Sequence, residues 1–180
     1  MRIFGRDCQG RRDALRILGI DPGYAIVGFG VIDYAGTQFR AVEYGSIYTE
    51  AHTPFTDRLM LIDTDMQEII RRYKPDCMAI EKLYFTTNRT TGIDVAQARG
   101  ILVLDAAKAG LPVFEYTPLQ VKQAVVGYGK AEKHQVMDMT RRILKLAQIP
   151  RPDDAADALA IAICHAHSSR GMMGIQNQFK

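Results

Sequence analysis

The sequence predicts an α/β fold, with a mixed five-stranded sheet flanked by helices. Three observations carry that expectation. The first apolar runs are short and joined by turns; the hydrophobic period lengthens to a helical one at Phe55; and beyond it helical and strand-like stretches alternate. Arg16–Ile20 (RILGI) is a short apolar run ending at Asp21-Pro22-Gly23, which reads as a buried strand entering a turn. Tyr24–Asp33, rich in Val, Ile and Phe, is a second strand, and Phe39–Tyr48 a third. The short turns between them imply an antiparallel meander. Phe55, Leu59, Ile62, Met66, Ile69, Ile70 and Tyr73 then recur at helical spacing between Thr53-Pro54, a start signal, and Lys74-Pro75, a stop. Met60 and Met66 fit that stripe or its edge and are read as core. Cys77–Ile80 is a short apolar strand with Glu81 at its C-terminal end. Asn88–Ala109 favours a helix closed by Gly110 and Pro112, and Val113–Tyr116 is a last strand. Helical stretches follow near 117–126, 132–147 and 154–167. Alternation after a meander implies a sheet covered on both faces.

At 180 residues and 20.1 kDa the chain suits one domain. Its 47% hydrophobic and 24% charged residues exclude disorder as the main state. No apolar run approaches the roughly 18 residues of a membrane span. Met1–Arg16 lacks the apolar segment of a secretory signal. Cys8, Cys77 and Cys164 are odd in number and far apart, forming neither a disulfide framework nor a paired-cysteine zinc site, so a reducing cytoplasm fits. Residues 1–15 read as a basic extension and 169–180 as a tail, both expected to be disordered.

The net charge of +3 conceals a pattern. Met1–Arg16 carries five arginines against Asp7 and Asp13, leaving 18 basic and 18 acidic residues in the rest. Within that balance, Thr117–Arg151 holds seven basic residues against Glu132 and Asp138. Such a stretch is either a phosphate-binding face or a solvated helix surface.

Four carboxylates stand where structure alone gains little from them. Asp21 ends one apolar strand and Glu81 another. Asp154 and Asp157 share the first turn of an otherwise apolar helix (AADALAIAIC). Ligands collect beyond the carboxyl ends of parallel strands, so adjacent first and fourth strands would bring Asp21 and Glu81 together, with the last helix presenting its acids to the same point. Crowded carboxylates stay ionised only when a cation holds them, and oxygen ligands without His or Cys suit Mg²⁺ or Mn²⁺. Two such ions about 4 Å apart activate a water and stabilise the leaving oxygen in phosphodiester hydrolysis. Asp153 also lies at helical spacing from Asp157. Spacing alone does not separate it from Asp154, although its place after Pro152 favours a capping role.

The segments ILGIDPGYAIVGFGVID, AIEKLYF, QARGILVLDAAKAGLPVFEYTPLQVKQAVVGYGKAEKHQV and DDAADALAIAICHAH closely resemble the RuvC family of bacterial Holliday junction resolvases, from about Arg16 to His167. The resemblance implies a ribonuclease H-like nuclease domain over 16–168. It implies a divalent-metal-dependent endodeoxyribonuclease, a homodimer that nicks opposing strands of a four-way junction in recombination and repair, working with the RuvA-RuvB branch-migration complex. By resemblance, Asp21, Glu81, Asp154 and Asp157 are the catalytic, metal-holding carboxylates, which favours Asp154 over Asp153. Tyr84 matches a family aromatic that stacks on an unpaired base, and Lys122 and Lys133 match lysines near the scissile phosphates. Arg89 and Lys130 join them as DNA contacts from charge and proximity, while Phe85 is read as core. The stretch before Arg16 departs from the family, whose members usually start almost directly at the first strand.

Three other functions share parts of this pattern. An actin-like ATPase opens similarly but needs two lobes. A non-catalytic DNA-binding module leaves the four acids unexplained. A ribonuclease H-like enzyme for structured RNA shares the chemistry but not the long match through QVKQAVVGYGKAEK. Ile93, Ala96, Gly100 and Leu104 lie at helical spacing, equally suited to a dimer face or to core. His52, His134, His165 and His167 offer no metal-ligand pattern.

Overall fold

The computed structural model describes residues 14–83 and 89–176, the side chains of 89–91 and 170–176 excepted. Strands β1 (Leu15–Asp21), β2 (Ile26–Ala35) and β3 (Gln38–Tyr48) form the expected antiparallel meander. β4 (Cys77–Glu81) pairs parallel with β1, and β5 (Val113–Tyr116) parallel with β4. The sheet order is therefore β3-β2-β1-β4-β5. Helices α1 (Phe55–Tyr73) and α2 (Arg89–Lys108) cover one face; α3 (Pro118–Val126), α4 (Lys133–Ile143) and α5 (Asp153–Gln176) cover the other.

Alternation along each strand divides the core in two. Leu18, Ile20, Val31, Met78 and Ile80 pack toward Ile62 and Met66 of α1 and Leu102 of α2. Ile17, Ile32, Cys77 and Ala79 point the other way, toward α5. Residues Ala158–Ala166 of α5 are all buried, because sheet lies on one side of the helix and α3 and α4 on the other. A helix apolar all round has no solvent face to give it a stripe.

α5 also approaches the sheet closely. Gly19 of β1 pairs with Gly30 of β2, and Asp21 with Gly28. A methyl group built on Gly19 would lie 2.9 Å from Cβ of Ala162; on Gly30, 2.8 Å from Cδ2 of Leu159; on Gly28, 3.0 Å from Cβ of Asp154. The helix thus rests on strand backbone rather than on side chains.

Met60 corrects the core expectation. It is 67% exposed, whereas Met66 is fully buried. Leu59, Ile62 and Met66 set the inward stripe of α1, and Met60 is turned out of it. β2 begins at Ile26 rather than Tyr24, because the Tyr24 carbonyl accepts the Thr49 hydroxyl in the preceding turn. α5 continues to Gln176, past its expected end at 167.

Candidate active site

β1 and β4 pair in register from Ile17 opposite Cys77 to Ile20 opposite Ile80. Asp21 and Glu81 follow side by side where both strands end. Period two places them on the face of Ile17, Gly19, Cys77 and Ala79, the face α5 covers. The first turn of α5 then lands on Gly28, the residue paired with Asp21, and this seats Asp154 beside Asp21. Asp157, one turn on, holds Nζ of Lys133 at 3.0 Å from its Oδ2.

Asp153 takes a different direction. Its carboxylate accepts from Nη1 of Arg151 at 2.7 Å and lies 3.7 Å from Lys133. It sits inside the first helical turn, where a negative charge complements the helix dipole, and not at the capping position its sequence context favours. Asp154 is the member of the pair whose charge acts on Asp21.

The electrostatics follow from this crowding. Burial, and then the charges of Asp157, Glu81 and Asp154, push the Asp21 carboxyl up to about 7, against the opposing pull of Lys133. Burial and Asp157 raise Glu81 as well. Burial raises Asp157, although its bond to Lys133 opposes the shift. For Lys133, burial works downward, but the bond to Asp157 and the neighbouring acids raise its affinity for a proton. Among the described residues no three of these carboxylates are drawn close enough to form a ready cation site, and Lys133 is the counter-ion of Asp157. Four hard oxygen donors, three of them reluctant to ionise without more positive charge, fit a divalent cation.

The cleft has a volume of about 260 Å³ and is lined by Glu81, Asp157, Lys122 and Lys133, with Pro118, Val121 and Val136 as its apolar wall. Both lysines are placed by helix starts. Thr117 and Gln120 form a capping box that opens α3, with Pro118 as first residue. Glu132 and Gln135 form another that opens α4, so Lys133 is the first residue of that helix. Lys130 is exposed on the α3–α4 turn and does not line the cleft. Tyr84 and Phe85 lie outside the described residues, as does the side chain of Arg89.

Two supports escape a reading of the sequence. Arg58 of α1 stacks over the Tyr24 ring, 3.6 Å from its centroid, and its Nε donates to Oγ1 of Thr49 at 2.8 Å. Thr49 donates in turn to the Tyr24 carbonyl at 2.7 Å, fixing the turn that follows Asp21. Arg99 of α2 donates to the Glu81 carbonyl at 3.4 Å and pairs with Glu115 of β5, steadying the end of β4. No local pattern marks either arginine, since its partners are distant in sequence. The glycines of β2 did carry a signal, in the alternation of Gly28-Phe29-Gly30. His165 is buried, its Nδ1 2.8 Å from the Tyr116 hydroxyl, and His167 lies 3.0 Å from the Ala124 carbonyl.

The family model described as crossover junction endodeoxyribonuclease RuvC matches residues 17–165. A Brevibacillus brevis protein of that name is 59% identical over 152 residues, covering 84% of this chain and 92% of its own. A solved structure of Thermus thermophilus RuvC in complex with Holliday junction substrate superposes with a TM-score of 0.84 at 37% identity, over 89% of this chain and 96% of the other. The yeast mitochondrial Holliday junction resolvase Ydc2 shares the fold, with a TM-score of 0.64 at 13% identity.

Proposed function

The chain belongs to the RuvC family of crossover junction endodeoxyribonucleases, and from that premise we propose that its four-carboxylate cleft is where it cuts DNA. The protein is an endonuclease that resolves Holliday junctions, and its fold is ribonuclease H-like. Neither an RNA-specific enzyme nor a non-catalytic module accounts for the family match and the acidic cleft together. The observation that carries the reading is the meeting of Asp21, Glu81, Asp154 and Asp157 from three elements, with Lys122 and Lys133 in the same cleft.

We assign two Mg²⁺ or Mn²⁺ ions to this site, which when bound would supply Lewis acidity for phosphodiester hydrolysis. Asp21, Glu81, Asp154 and Asp157 would hold them. The chain's other groups position the strand. Lys122 and Lys133 attract the phosphates flanking the cut, and the apolar wall of the cleft limits water around them. Lys133 also holds Asp157 in place through its bond to that carboxylate. Lys130 and Arg89 we keep as backbone contacts, and Tyr84 as the aromatic that meets an unpaired base.

A four-way junction has approximate two-fold symmetry, which a homodimer matches. We assign the outer side of α2 to that contact. Ile93 and Leu104 are 56% and 48% exposed, and a methyl on Gly100 would meet nothing within 4 Å. Ala98, Leu102 and Ala106 are the residues that face the core, and Ala96 is half-buried. The same reading makes the branch-migration complex RuvA-RuvB the upstream partner. Among the described residues no helix is long and apolar enough to cross a membrane; we place the enzyme in the cytoplasm with its DNA.

The test is cleavage of a four-way junction, a duplex and a structured RNA with and without divalent metal. Wild-type protein should cut only the junction, and only with metal. Folded Asp157→Asn should bind the junction and leave it uncut. Cleavage that survives this change would remove the carboxylates from the centre.

A further inference from the structure

The turn joining α3 to α4 lies within the basic Thr117–Arg151 stretch and, apart from Lys130, has been given no role above. Gly127 ends α3 at a φ of 93°, open to glycine and strained for other residues, and its N–H donates to the Gln123 carbonyl at 3.0 Å. The chain then folds back on α3. A methyl built on Gly129 would collide with Cδ1 of Leu119 and lie 3.8 Å from Cγ of Gln123. Leu119 belongs to the first turn of α3, the turn whose Pro118, Val121 and Lys122 line the cleft. The two glycines therefore carry the chain at Tyr128 and Gly129 back alongside the first turn of α3, on its way to Lys133 in the cleft, instead of letting it trail away with the C-terminal end of α3.

Tyr128 is 47% exposed there and Leu119 54%. Core packing does not explain a ring and an isobutyl group left half uncovered on two segments that meet at Gly129. Charge points to an occupant: Lys130 is exposed two residues along, and Lys122 and Lys133 lie in the adjoining cleft. Aromatic rings set among lysines suit single-stranded nucleic acid, because every base offers a face and every link a phosphate. A paired arm hides its base faces in the stack. A nucleotide beside the cut at an opened crossover does not.

We infer that Tyr128 is a stacking platform for a nucleotide of the strand being cut. Leu119 forms its apolar bed, and Lys130 meets a phosphate next to that nucleotide. This inference rests on the carboxylate cleft being the cutting centre. It adds a second base contact, carried by the α3–α4 turn and separate from Tyr84.

The experiment uses full-length protein and junctions carrying 2-aminopurine at single positions near the cut, on the cut or the uncut strand. In an Asp157→Asn background, binding should quench the probe at a cut-strand position; Tyr128→Phe should keep the quench and Tyr128→Ala should lose it. With the carboxylates intact, Tyr128→Ala should slow junction cleavage by about 5- to 150-fold, the range of base-aromatic stacking. Its Tm and the slope of log binding constant against log salt should match wild type. Lys130→Gln should instead lower that slope by about one. The inference is overturned if Tyr128→Ala quenches like its parent, cuts within two-fold of wild type, or loses activity only together with Tm. Failure of the underlying reading is seen separately, as cleavage that survives Asp157→Asn.

Discussion

Asp21 is held in a setting that favours its neutral form, and this sets function against stability at one residue. Because its folded pKa is raised from the ordinary 3.8 to about 7, the metal-free fold loses stability as pH climbs through that interval and is level above it. Asp21→Asn should therefore end cleavage while raising Tm. The difference from wild type should grow between pH 4 and 7 and then hold, at roughly 2–4 °C per kcal/mol of repulsion removed. Thermal melts in chelator across that range check it; a Tm below wild type at pH 8 would contradict the crowding. Asp154→Asn should likewise abolish cleavage, whereas Asp153→Asn should retain most of it, since only Asp154 is seated beside Asp21. Parallel cleavage assays on the two variants decide the point. Asp21, Glu81 and Asp157 were legible because each interrupts apolar sequence at a strand end or helix turn. Spacing did not choose between Asp153 and Asp154, since i+3 and i+4 neighbours share a helical face, and only the family resemblance favoured Asp154. What separates them is Gly28, more than a hundred residues away in the chain.

The same glycine governs a whole element. α5 has no side-chain layer beneath its first turns, so Gly28→Ala must lift the helix or push β2 aside. We expect a Tm loss corresponding to about 1–3 kcal/mol, the usual cost of overpacking. Cleavage should fall far more, on the order of 100-fold, because a displacement near 1 Å is enough to spoil a reacting geometry. A variant whose rate fell only in proportion to its folded fraction would argue against the seam. Strand and helix boundaries were legible where punctuation is strong, as in α1 between Thr53-Pro54 and Lys74-Pro75. They drifted where a tertiary contact decides, as at Tyr24, whose carbonyl is claimed by Thr49. Met60 was misread because periodicity gives a stripe but not its width.

At the scale of the molecule, the proposed pairing of two copies through the outer side of α2 predicts that two cuts are coordinated. Ile93→Glu combined with Leu104→Glu should yield a monomer by sedimentation. Its metal-dependent Tm shift should persist, but its junction products should be single nicks rather than paired ones. A stable dimer in that variant would move the interface elsewhere. The sequence left this face ambiguous, because an apolar stripe looks the same whether its partner is core or a second copy; exposure in the folded chain removes Ile93 and Leu104 from the core and leaves the second copy as the proposal. The division of the carboxylates has a further consequence, in the order of synthesis. Asp21 and Glu81 are made early, on strands that pair as soon as β4 exists, while Asp154 and Asp157 sit on the last helix. Until that helix has been translated and has settled on its glycine seam, the growing chain carries only two of the four carboxylates of the proposed centre. On the proposed assignment such a chain has no means of cutting, and the nuclease would be armed only by its own completion.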